Sequence, residues 1–66
     1  MIKVDSNKFM LALAKAAMTT EELKVKSGVG RNTISRILNG ETAVRPVILG
    51  KLAKALNVDV TEIIAN

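Results

Sequence analysis

Gly28-Val29-Gly30 constrains this chain more than any other stretch, because it rules out one long helix through the middle of the 66 residues. The residues on either side read as two short helices joined by a tight turn. Thr20 is expected to cap the first, its hydroxyl accepting from a free N–H one turn in. Glu21 and Glu22 follow in the first turn, where the helix dipole favours negative charge, and Leu23 supplies an inward residue. Gly28 sits where a helix ends in a left-handed residue, a conformation that glycine adopts at little cost. Val29 then reads as a buried plug, and Gly30 as an acceptable cap for the next helix. That helix carries Ile34, Ile37 and Leu38 at i, i+3 and i+4, a single apolar stripe. Its other face shows Arg31, Asn32, Thr33 and Arg36, and Asn39-Gly40 stops it.

The remaining sequence reads as helices that support this pair. Asp5 or Ser6 starts a first helix over about residues 7–17, with Phe9, Ala12, Leu13, Ala16 and Ala17 along its inner side. Met10, Leu11 and Ala14 lie further round, as part of a broad core face or as a contact with a second subunit. Met1 to Val4 is short and alternating, and fits a loose arm, a small edge strand or a dimer contact. Met18 packs beneath the central pair, and Val25 points outward, as a stray apolar residue or a contact. Glu41 to Val44 reads as a loop. Arg45-Pro46 opens a fourth helix with proline at its first position, where the missing N–H costs nothing. Leu49, Leu52, Ala53 and Leu56 face the core at helical spacing. Gly50, inside that helix, costs about 1 kcal/mol relative to alanine, so it marks either a close helix approach or an accident of sequence. Asp59 or Thr61 starts a last short helix through Ile63 and Ile64. The expected fold is all-α, five helices and no sheet.

Charge separates the middle of the chain from its ends. Residues 1–23 hold three bases and three acids. Residues 24–54 hold seven bases (Lys24, Lys26, Arg31, Arg36, Arg45, Lys51, Lys54) against Glu41, and residues 55–66 hold only Asp59 and Glu62. The net charge of +4 is thus concentrated where the polar helix face lies, which points to a polyanion partner; a solvated surface is the plainer alternative. With no histidine and no cysteine, the usual metal ligands and the usual general base are missing. Glu21 and Glu22 are adjacent, so their side chains diverge on a helix, and there is no phosphate-cradling glycine loop. An enzyme is therefore not expected, nor any cofactor or metal. The apolar runs are far too short to span a membrane.

The residues Leu23, Gly28-Val29, Ile34-Ser35, Ile37 and Asn39-Gly40, with Arg45-Pro46 and the run Leu52 to Val58, resemble the lambda-repressor/Cro-like (XRE) helix-turn-helix proteins. The resemblance covers nearly the whole chain. It implies one compact five-helix DNA-binding domain over residues 1–66, with the helix-turn-helix at about 20–38. Two departures stand out. Lys24 occupies a position that usually holds alanine, because the second and third helices approach closely there; its stem is expected to lie on apolar surface with the ammonium in water. Leu13 and Leu38 stand where related domains often carry an arginine–glutamate pair. Removing one ion would strand the other at roughly 3–5 kcal/mol, whereas replacing both is often neutral, so Leu13 is expected to touch Leu38.

The resemblance implies a regulator that binds double-stranded DNA, a repressor before an activator, with its third helix in the major groove. Arg31 suits guanine O6 and N7, Asn32 suits adenine N6 and N7, and Thr33 and Arg36 reach a base or the backbone. Thr20, Asn39, Arg45 and Lys24 are the expected phosphate contacts, which position the protein without reading sequence; Asn39 serves equally well as a local cap. One such domain reads few base pairs, so a homodimer on a near-palindromic operator is expected, with half-sites about 34–36 Å apart. Val58, Val60 and Ile64 are its expected interface and Ile63 points inward, the alternative being that these residues close the core. No ligand-sensing domain is evident, so a signal is expected to enter through expression level, dimerisation or a partner. A cytoplasmic, nucleoid-associated protein of a prokaryote or phage follows from the same resemblance. The rival classes are a protein-binding or antitoxin-type module and a recombination accessory factor on the same fold.

Overall fold

In the computed structural model, which describes residues 1–40 and 42–65, a short strand precedes the first helix. The order is β1 (Ile2–Val4), α1 (Ser6–Ala16), α2 (Thr20–Ser27), α3 (Arg31–Asn39), β2 (Thr42–Val44), α4 (Pro46–Leu56) and a single 3₁₀ turn at Val60–Glu62. Asp5 caps α1, accepting from the Lys8 N–H at 2.9 Å. Proline at the start of α4 fits as expected, with Arg45 at the N-cap.

The five-helix, sheet-free expectation is corrected in two places. Residues 42–44 are a strand rather than a loop, paired antiparallel with β1 in the register Ile2↔Val44, Lys3↔Ala43 and Val4↔Thr42; Glu41, also expected in that loop, lies outside the described residues. Met1 to Val4 is accordingly no loose arm. The last element is one 3₁₀ turn, capped by Asp59, that stops at Glu62. Beyond it Ile64 bridges Val4, and the Ala65 N–H donates to the Lys3 carbonyl at 2.9 Å. The backbone groups of β1 are therefore used on both edges, which is why three-residue strands persist here.

Phe9, Leu23, Ile34, Ile37, Leu52, Ile63 and Val4 are the largest fully buried side chains. They join Ala12, Leu13, Val29, Val44, Leu49, Ala53, Ala55 and Leu56 in one core. Leu38 packs half-buried against this core, of which Leu13 is a member, and α1 meets α3. There the Ser6 hydroxyl donates to the Leu38 carbonyl at 3.0 Å. Among the described residues no charged side chain is buried.

Two further expectations are revised, and one open alternative is settled. Thr19, not Thr20, caps α2: its hydroxyl accepts from the Glu22 N–H at 3.1 Å while the Glu22 carboxylate accepts from the Thr19 N–H at 2.9 Å. This reciprocal box satisfies two N–H groups where a lone Thr20 cap would satisfy one. Ala17 does not line the core; it is exposed in the left-handed conformation (φ 51) that ends α1. Gly50 has no close neighbour to explain it, since a Cβ built there meets nothing within 4 Å.

Candidate nucleic-acid interface

The turn between α2 and α3 is fixed by backbone bonds and one hydroxyl. Gly28 ends α2 at φ 75, and its N–H donates to the Lys24 carbonyl at 2.9 Å. The Ser27 hydroxyl donates to the Leu23 carbonyl at 2.6 Å and accepts from the Val29 N–H at 3.1 Å. Val29, 2% exposed, drives the turn into the core. Gly30 then caps α3 without a side-chain acceptor.

With Ile34 and Ile37 buried and Leu38 half-buried, the opposite face of α3 is fixed outward. Arg31, Asn32, Ser35 and Arg36 are exposed and Thr33 is half-buried. Clefts flank the helix on two sides. The one between α2 and α3 is lined by Thr20, Glu21, Lys24, Arg31, Ile34 and Ser35. The other brings Thr33 and Arg36 together with Met1, Thr42 and Arg45. Thr42 ties its floor, donating to the Arg36 carbonyl at 3.0 Å. Residues from α2, from α3 and from the segment before α4 thus fall into two groups beside one helix. Thr20 and Lys24 stand with Arg31, and Arg45 stands with Thr33 and Arg36. Asn39 is exposed at the far end of α3, and Lys26 lines a different cleft with Lys15 and Asn57.

Lys24 is half-buried in the cleft between α2 and α3, and its ammonium reaches the Glu21 carboxylate at 3.4 Å. Glu21 was not among the residues singled out for the site, yet it is central to the first cleft. One of its oxygens accepts from the Arg31 guanidinium and the other pairs with Lys24. The hydrogen bond from Arg31, with the nearby Lys24 charge, holds the Glu21 carboxyl below its ordinary value of 4.5. Ten residues separate Glu21 from Arg31 in sequence, and only the folded turn brings them together. The sequence clue to it is an acid near the start of one motif helix and a base at the start of the next.

Val58 and Ile64 are half-buried against the core and Val60 is exposed by 37%, while Ile63 is fully buried. Most of the apolar surface expected at an interface therefore serves the core, with Val60 the most open of the group. Among the described residues, no helix is long and apolar enough to cross a membrane.

A helix-turn-helix family model matches residues 10–63, from the middle of α1 to the end of the core. No curated protein and no solved structure matches the chain significantly.

Proposed function

Since the chain belongs to the lambda-repressor/Cro-like helix-turn-helix family, a family of DNA-binding regulatory domains rather than enzymes, we propose that it is a sequence-specific transcriptional repressor. In this reading the 66 residues act as one domain and α3 lies in the major groove. The observation that carries the proposal is the two-sidedness of α3. Ile34 and Ile37 lock one side into the core, at 2% and 0% exposure. Arg31, Asn32 and Arg36 are thereby presented together, with Thr33 at their margin. The arginines offer paired donors and Asn32 a donor beside an acceptor, patterns of the kind that distinguish G·C from A·T in the major groove. Arg45, which shares a cleft with Thr33 and Arg36, would hold a phosphate beside the N-terminus of α4. Thr20 and Lys24 do the same beside Arg31, and Asn39 at the end of α3.

A domain of this size covers a short site, so the proposal includes a homodimer on a near-palindromic operator, with Val60, Val58 and Ile64 at the contact. The test is selection of duplexes from a random pool, followed by titration over a range of salt. A sequence-selective complex whose affinity falls steeply with salt is expected. Replacing Arg31 and Asn32 by alanine should relax the selected sequence at defined positions. An unaltered selection would refute the assignment of α3. If no duplex is enriched, a protein-binding or antitoxin-type module replaces the repressor.

A further inference from the structure

Arg31 stands at the first position of α3 with its side chain 69% exposed. A free arginine there would sample many rotamers, and any base contact would have to immobilise it. Here it is already held, because Glu21 Oε1 accepts from Arg31 Nη2. Glu21 is itself fixed near the start of α2, with Lys24 Nζ 3.4 Å from its other oxygen. The bond is single-pronged. A guanidinium has five N–H donors, so the grip on Arg31 leaves donors for a guanine edge.

Building on the proposed DNA-reading role, we infer that Glu21 is a specificity-determining positioning residue, holding the Arg31 guanidinium in one orientation before a duplex arrives. Two effects act in the same direction. On a matching site, Arg31 bonds the base without leaving Glu21, so less side-chain freedom is lost on binding. On a non-matching site, Arg31 is most useful when it swings to a phosphate, and that movement leaves the Glu21 carboxylate with Lys24 as its one remaining partner, facing the polyanion. Glu21 thus weakens attachment to arbitrary duplexes and keeps the attachment to the right one, a repulsive element that serves discrimination.

The test uses the full chain, the duplex selected by it and a scrambled duplex of equal length. Glu21→Gln preserves shape and removes the charge. The expected result is tighter binding to the scrambled duplex and a fall of about three- to tenfold in the ratio of selected to scrambled affinity, the scale of ordering one long side chain. In an Arg31→Ala background the same change should leave the ratio unaltered. The melting temperature should hardly move, since the pair is exposed. If Glu21→Gln raises both affinities by the same factor, Glu21 is only a nearby charge and the inference is overturned. If the wild-type chain selects no duplex, the DNA-reading role itself fails. If Arg31→Ala abolishes selectivity while Glu21→Gln does not, the inference about Glu21 alone fails.

Discussion

Replacing Gly50 by alanine should stabilise this protein, and replacing Ala17 by glycine should do so again. Gly50 is the fifth residue of α4, where glycine costs about 0.8–1.0 kcal/mol relative to alanine. A Cβ at this position meets no atom within 4 Å, so no clash opposes the gain. Ala17 has φ 51 and ψ 45 at the end of α1, a left-handed conformation that costs an L residue about 1–2 kcal/mol. Glycine relieves that strain but adds freedom to the unfolded chain, about 0.4–1 kcal/mol, leaving a net gain of about 0.5–1 kcal/mol. For 66 residues the unfolding entropy is about 0.14 kcal/mol/K, so about 1 kcal/mol raises the melting midpoint by roughly 7 °C. Thermal melts followed by circular dichroism and urea titrations of each variant provide the measurement, with the urea slope expected to stay constant. Gly28→Ala is the opposing control: its φ of 75 makes the same chemical change destabilising. A lower midpoint for Gly50→Ala would refute the reasoning, by showing that Gly50 meets something in solution that the isolated chain lacks.

Thr19→Ala should destabilise by about 1 kcal/mol through loss of the cap, whereas Thr20→Ala should leave the urea midpoint unchanged. Hydrogen bonds from the backbone and hydroxyl of Thr19 hold the Glu22 carboxyl below its usual 4.5, and those from Thr61 hold Asp59 below its usual 3.8. Depressed carboxyls contribute stability that is present above their unfolded values and lost as pH falls through the folded ones. The melting temperature should therefore drop on acidification below about pH 4.5, and Glu22→Gln should flatten part of that slope; an identical slope would count against the assignment. Arg45→Ala should weaken binding to all duplexes about equally and lower the salt slope by about one unit, read by fluorescence anisotropy. Ile63→Ala, at a fully buried site, should cost about 2–5 kcal/mol in a urea titration.

Local chemistry made some of these features legible in sequence. Gly28 announced its left-handed turn because few other residues accept that conformation, and the Ile34, Ile37 and Leu38 spacing oriented α3. Thr19 and Thr20 are adjacent candidates, and the residue that separates them is Glu22, three positions after Thr19, whose reciprocal bond forms the box. Ala17 and Asn57 both end their helices in the left-handed conformation; asparagine tolerates it and so marks the end of α4, whereas alanine gives no signal. The β1–β2 pairing joins residues about forty apart in runs of three. Periodicity cannot reveal so short and distant a ladder. The contact between Glu21 and Arg31 was hidden for a related reason: it depends on how two helices cross, not on either helix alone.

The strand near the amino end lies between residues 42–44 on one edge and residues 64–65 on the other. In chain order β1 therefore precedes both of its neighbours by about forty and sixty residues. Val4 and Phe9 share one core with Ile63, so residues some sixty positions apart are buried together. A chain lacking residues 63–65 would therefore keep one bare edge on β1 and a greasy interior open to proteolysis.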